Sequence, residues 1–488
     1  MNKQPDYYLV LGIPPGATTA EIHKAARTLA EKFPENARDP GVNAAYRQLL
    51  AAYEVLSDPQ RRAEYDARRA QLAPELLEVT MQLSRRKIAA LDDEQLLYLL
   101  ASLRAPEHQT HTTLPLNLAL VFDRSTSMAN ERLDKVKAAA REIVHQLSPE
   151  DALSVVTFSD RAEVVWPASR VEHRERIVGH ISGIQASGGT EIFQGLEAGF
   201  QQLNQLPLDR FINHLVLMTD GQTYGDEEKC YALAQSAASR GITLSAFGIG
   251  SDWNDGFLDQ LVRSSGGRCA YIETPAQIVS FLREQIKGLG ATYAHNIRLS
   301  FSLPRGVRCN YAIKLSPYSL PLDYHAMPIQ LGAVEARAPL SLLLELVVPP
   351  LRLGTELTIP LEFLVDIPAV QVRNRPFLYE ESVTVGNESI VVEPPRIVVK
   401  AVQMLNLHRI NEKAWEEFEA GKTEQATKRM EVLTTRLLEA GHPELAEQAE
   451  LEKQRLSLMG TLSLQGRKRL KYGTRSLITT AVSFKGHD

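Results

Sequence analysis

The chain has 488 residues, too many for one ordinary domain of roughly 100 to 200 residues, so two to four separately packed units are expected. Hydrophobic residues make up 44% and charged residues 23%, the balance of a folded globular protein, which excludes a disordered or fibrous chain. A net charge of -5 provides no positive field to gather phosphate backbones or anionic lipid, which argues against nucleic acid or a membrane as partner.

Cys230, Cys269 and Cys309 are odd in number and lack CxxC spacing, so neither a disulfide framework nor a zinc cluster is suggested, and a reducing compartment fits. The N-terminal MNKQPDYYLVLG lacks the basic-then-apolar pattern of a secretory signal. The longest apolar stretch, Pro339 to Pro350, carries Glu345 and falls short of the roughly 20 residues of a spanning helix. The expectation is a cytoplasmic protein.

Residues 1–70 read as a helical domain. Thr18 followed by Glu21 forms a capping-box signature. Ile22, Ala25, Ala26, Leu29 and Phe33 then keep helical spacing, and Tyr46, Leu49, Leu50, Tyr53 and Leu56 repeat it after Pro34, predicting an antiparallel helical hairpin. In residues 71–110, Leu77, Val79, Met81 and Leu83 alternate with Glu78, Thr80 and Gln82, predicting a half-buried strand. A second run spans Leu96 to Leu103, and a polar linker follows from Pro106 to Thr113.

Residues 111–290 alternate short apolar strands with helices: Leu116 to Phe122, a helix from Arg132 to Leu147, Leu153 to Phe158, Leu215 to Met218, Leu244 to Ile249 and Cys269 to Ile272. That order predicts an α/β doubly wound, Rossmann-like sheet. Residues 291–397 turn all-β, with runs at Ile297 to Phe301, Leu340 to Val348, Leu357 to Phe363 and Ser382 to Val385, predicting a sandwich-like domain. The unpartnered strands at 75–104 are expected to join it, which makes the α/β domain an insertion. Residues 398–488 read as a C-terminal helical region carrying Trp415, Phe418, Ala426, Met430, Leu433 and Leu437 on one face, then a basic tail with Arg467, Lys468, Arg469, Lys471 and Arg475. A solvated segment is the preferred reading of that tail over a site for an acidic partner or nucleic acid.

Asp123, Ser125 and Ser127 follow the apolar strand LNLALVF, at the carboxyl end where open α/β sheets bind ligands. Thr190 in SGGTEI and Asp220 in LVLMTDG add oxygen donors from equivalent positions. Hydroxyls and carboxylates are hard ligands that suit Mg²⁺ or Mn²⁺. The competing reading makes the serines helix caps and Asp220 a turn residue, which each alone would favour. Asp151, Asp160 and Asp209 are read as solvated turn residues.

This DxSxS, Thr and Asp set resembles the metal-ion-dependent adhesion site (MIDAS) of von Willebrand factor A (VWA) domains, over about residues 115 to 290. The resemblance implies that Asp123, Ser125, Ser127, Thr190 and Asp220 hold a divalent metal, with one position left for an acidic residue of a protein ligand. DYYLVLGIPPGATTAEIHKAARTLAEKF and AYEVLSDPQRRAEYD resemble a J-domain of the DnaJ type, the cofactor module of heat-shock chaperones. Where that family carries His-Pro-Asp, this chain reads Phe33-Pro34-Glu35-Asn36, and His23 lies within the helix. The resemblance therefore implies a docking module without its histidine. Lys24, Arg27 and Lys32 would form the family's basic docking face, although interspersed Glu21 and Glu31 favour a solvated face.

No P-loop, dinucleotide fingerprint, HExxH or GxSxG appears, and His108, His111, His295 and His325 sit in apparent loops without ligand spacing. The expectation is a non-enzymatic adaptor binding a partner through Mg²⁺. The alternatives are a regulatory subunit of an AAA-type ATPase and, third, a chaperone cofactor.

Overall fold

The computed structural model describes residues 7–11, 13, 17–31, 33, 44–71, 76–106, 114–221, 225–370, 372–386 and 393–483. The first unit comprises α1 (Tyr7–Leu11), α2 (Thr19–Glu31), α3 (Ala44–Leu56) and α4 (Pro59–Gln71) around Tyr8, Leu11, Ile22, Leu49 and Leu56. Its capping box forms: the Glu21 carboxylate accepts from the Thr18 amide at 2.7 Å, and the Glu21 amide donates to Thr18 Oγ1 at 3.3 Å. Arg62 Nε donates to the Tyr8 hydroxyl at 2.8 Å, tying α4 to α1. Lys24 and Arg27 are exposed, with Arg27 paired to Glu31, while Lys32 and the 34–36 loop lie outside the described residues.

Three strands follow: β1 (Glu78–Leu83), β2 (Lys87–Ala89) and β3 (Gln95–Arg104). The α/β unit then holds β4 (Leu116–Asp123), α5 (Glu131–Gln146), β5 (Ala152–Phe158), β6 (Ala162–Arg170), α6 (Arg174–Ser182), α7 (Ile192–Leu203), β7 (Ile212–Thr219), α8 (Glu227–Ser239), β8 (Ile242–Ile249), α9 (Asp255–Arg263), β9 (Cys269–Ile272) and α10 (Ile278–Gly290). Its six-stranded sheet has the order β6-β5-β4-β7-β8-β9, parallel except for the edge strand β6. Helices cover both faces, which is why β4 is buried along its whole length. Leu118, Leu120 and Phe122 pack under α5, whereas Ala119 and Val121 meet α7.

The chain returns through β10 (Thr292–Phe301), β11 (Arg308–Ser316), β12 (Leu320–Pro321), β13 (Ile329–Glu335), β14 (Leu340–Val348), β15 (Glu356–Ile367) and β16 (Val372–Gly386). These strands form two sheets with β1, β2 and β3, in the orders β1-β3-β14-β11-β12 and β13-β10-β15-β16-β2. The α/β unit thus leaves the sandwich after β3 and re-enters it at β10. His295 lies within β10 and is half-buried, which corrects its reading as a loop residue, whereas His325 is exposed.

The C-terminal region forms α11 (Arg396–Glu419), α12 (Thr423–Glu439), α13 (Pro443–Met459) and α14 (Leu464–Ser483). Val398, Ala401 and Leu405 of α11 pack on Leu100, Ile313 and Leu343, the outer side chains of the first sheet. Because Leu342 and Leu344 of β14 face the sandwich core instead, this strand is buried on both faces, and its mostly apolar sequence, broken only by Ser341 and Glu345, follows.

The basic tail is not solvated. It is α14, and Lys468, Lys471 and Arg475 are all buried against the α/β unit. Arg475 grips Asp259 of α9 with two bonds of 2.7 and 2.8 Å, and Lys471 reaches both Asp259 at 2.8 Å and Asp255 at 2.5 Å. Burial would raise the Asp259 carboxyl, but the charges of Arg475 and Lys471 hold it well below the ordinary carboxylate range. Charge paired with charge makes this burial tolerable. Among the described residues no helix is long and apolar enough to cross a membrane.

Candidate metal centre

The strand order places β4 between β5 and β7, the position where the direction of winding reverses and loops diverge from the carboxyl edge. Asp123 ends β4, and Thr219 ends the adjacent β7 with Asp220 next in the chain. Two carboxylates therefore reach one crevice from neighbouring strands. Both are buried, Asp123 at 0% exposure and Asp220 at 2%.

Asp123 Oδ1 accepts the Ser125 amide at 2.8 Å, and its Oδ2 accepts the Thr219 hydroxyl at 2.6 Å. Burial pushes the Asp123 carboxyl up to about 6, against the downward pull of these hydrogen bonds, with the Asp220 charge adding to the rise. Ser125 Oγ lies 3.0 Å from Ser127 Oγ, which donates to Asp220 Oδ1 at 2.7 Å. Ser125 makes no side-chain capping bond to the turn Thr126–Met128, so its hydroxyl serves the carboxylate cluster instead.

Thr190 arrives on a separate loop and lies against Gly221: a Cβ there would sit 3.0 Å from Thr190 Oγ1. Backbone bonds sew that loop to its neighbours, with the Ser187 amide on Arg124 O at 2.7 Å, the Thr126 amide on Gly188 O at 3.1 Å and the Glu191 amide on Ser159 O at 2.8 Å. Gly188 has φ +79°, and a Cβ there would lie 2.5 Å from Asp160 Oδ2, so only glycine fits both the backbone and the space. All five sequence-predicted residues thus lie at one edge of the sheet. Asp123, Ser125, Ser127 and Asp220 form a continuous hydrogen-bonded cluster, and Thr190 borders it beside Gly221.

Three further residues shape the site. Thr219 orients Asp123, a role its place at the strand end before Asp220 could have signalled. Asp160 is an exposed turn residue, as expected, and its Oδ1 accepts the Gly189 amide at 2.8 Å, which anchors the Thr190 loop. Asp151 and Asp209 are likewise engaged: Asp151 accepts the Leu116 and Ser148 amides, and Asp209 pairs with Arg373 of β16. Arg132, on the first turn of α5, contacts Asp220 Oδ2, and no local sequence pattern marks it for that role.

Family models match three stretches of the chain: a DnaJ domain residues 6–66, a von Willebrand factor type A domain residues 117–284, and the Sll0103-like, C-terminal alpha-helical domain residues 396–480. The chain is similar to the uncharacterized protein sll0103 of Synechocystis sp., 35% identical over 196 residues, 39% of this chain and 46% of that protein. It also resembles the chaperone protein DnaJ of Dictyoglomus thermophilum, 45% identical over 67 residues, 14% of this chain and 17% of that protein. The chain therefore spans less than half the length of either relative. Among solved structures, von Willebrand factor type A from Catenulispora acidiphila aligns with a TM-score of 0.65 over 82% of this chain and 96% of that one, at 17% identity, a likeness of fold. The chain is thus a multidomain protein with an N-terminal DnaJ domain, a Rossmann-like von Willebrand factor type A domain, a further β domain and C-terminal helices, and its two named modules are of a kind that serves protein interaction and is typically non-catalytic.

Proposed function

We propose that the protein is an adaptor whose type A domain binds a protein partner through a divalent metal, Mg²⁺ or Mn²⁺, held by Asp123, Ser125, Ser127, Thr190 and Asp220. The observation that carries this reading is the cluster itself: two buried carboxylates joined through serine hydroxyls, with a threonine hydroxyl beside them, at the sheet's switch point. An all-oxygen donor set fits a hard cation. The resemblance implies that the hydroxyls contact the cation and the two carboxylates act largely through water, so little negative charge touches the metal directly and a partner's Asp or Glu at the open position gains a strong charge-assisted contact.

The DnaJ domain acts in this reading as a docking module, with Phe33-Pro34-Glu35-Asn36 standing where the family has His-Pro-Asp. The three free cysteines, all at least partly buried, suit a reducing compartment such as the cytoplasm.

Calorimetric titration of the full chain with MnCl2 tests the metal. Binding at one site is expected, lost in Asp123→Asn while the circular dichroism spectrum is kept. Equal binding by the variant removes the assignment. Affinity capture with and without EDTA then tests the adaptor role, and a metal-dependent acidic partner, an AAA-type ATPase among the candidates, is the expected result. Raised ATP turnover when the protein is added to a heat-shock chaperone would instead make the DnaJ domain an active cofactor.

A further inference from the structure

Arg132 is the one cation bonded to the carboxylate cluster among the described residues. Its guanidinium pairs with Asp220 Oδ2, the oxygen not used by Ser127, and Asp220's side chain is 0% exposed while that of Arg132 is 32% exposed. The arginine therefore stands at the rim with its charge directed inward.

Its position is built from several directions. The first turn of α5 supplies the backbone, and Gly250 lies alongside with φ +74°, where a Cβ would sit 3.2 Å from Arg132 Nη2. The Gly250 amide donates to Ile272 O at 2.9 Å, and its carbonyl accepts the Trp253 indole at 2.8 Å. Lys468 of α14 then holds the Ser251 and Trp253 carbonyls at 2.5 and 2.8 Å. The wall against which Arg132 rests is thus fixed by the C-terminal helix.

We propose that Arg132 is a specificity-determining residue of the metal centre, withholding Asp220's charge from the cation so that the bound metal keeps its attraction for an acidic ligand. The inference rests on the metal reading above. An arginine cannot lose its proton under ordinary conditions, so this withdrawal of charge is permanent. Two consequences of opposite sign follow: the metal is held less tightly than it would be without Arg132, and a carboxylate on that metal is held more tightly. A purely structural arginine would instead weaken both on removal.

The experiment titrates wild-type protein, Arg132→Met and Arg132→Lys with MnCl2 by calorimetry, then titrates the Mn²⁺-loaded proteins with acetate, read by water-proton relaxation. Arg132→Met should bind Mn²⁺ about tenfold more tightly, the order expected when a unit charge beside the site is removed. Its acetate affinity should fall severalfold, and Arg132→Lys should return both toward wild type. Arg132→Gln serves the same purpose if the methionine variant does not fold. Unchanged or weaker Mn²⁺ binding by a folded, uncharged variant overturns the proposal. Failure of the wild type to bind Mn²⁺ overturns the metal reading itself and this inference with it.

Discussion

The type A domain buries two pairs of aspartates and treats them in opposite ways. Asp123 and Asp220, at the strand ends, are bonded mainly to hydroxyls and amides, with one arginine at the rim. Asp255 and Asp259, on α9, face Lys471 and Arg475 from α14 and are neutralised within the chain. In the proposed reading the first pair faces a cation from outside the chain, with Arg132 drawing off part of Asp220's charge. The second spends its charge on holding two domains together, so the same residue type becomes a site in one place and a joint in the other.

The largest effect expected from breaking this contrast is at the joint. Asp259→Asn leaves Arg475 buried without its counter-ion and Lys471 with Asp255 alone, and should cost about 3–5 kcal/mol, loosening α14 from the α/β unit. A lower urea midpoint and new proteolytic cuts after residue 460 would report it. An unchanged midpoint would mean that the aromatic contacts of Tyr472 with Trp253 and Tyr271 hold α14 without the ions.

Acid should act on the same joint in a defined direction. Because the folded Asp259 carboxyl lies below its unfolded value of about 3.9, its contribution is fully present above that pH and is lost as the pH falls further. The stability gap between wild type and Asp259→Asn should therefore hold from pH 7 to pH 5 and narrow below pH 4. A gap that narrows already between pH 7 and pH 5 contradicts the assignment.

At the metal centre smaller losses are expected. Gly188→Ala places a side chain at a positive φ against Asp160 and should cost about 1–3 kcal/mol, weakening Mn²⁺ binding by displacing the Thr190 loop. Thr219→Val removes a donor from the buried Asp123 and should cost about 1–2 kcal/mol with a similar weakening. Thermal melts and Mn²⁺ titrations of both variants check this. The baseline is the exposed pair Arg170–Glu150, with side chains 44% and 78% exposed, where Glu150→Gln should change stability by less than about 0.5 kcal/mol.

Some of this was legible in the sequence because the signals are local. Thr18 and Glu21 are three residues apart, so the capping box forms within one turn of chain. LNLALVF reads as a strand because burial on both faces leaves no polar alternation. Asp123, Ser125 and Ser127 lie within five residues, so their convergence is a property of one loop. The edge strand β6 escaped notice because it is partly exposed throughout and carries Pro167, tolerable only at an edge.

The sequence by itself determined the order of helices and strands and the oxygen donors after β4, since spacing and strand ends are written along the chain. Only the tertiary structure decided which charges meet. GRKRLKYGTR reads as a solvated tail because its basic residues have no acidic partners nearby in the chain; those of Lys471 and Arg475 lie more than 200 residues earlier, on α9, that of Arg469 is Glu273, and Arg467 reaches Glu419 on α11. Arg132 looks like an ordinary helix residue until folding sets it beside Asp220, 88 residues later. Electrostatic pairing depends on distance in space, and no local pattern encodes a contact made across domains.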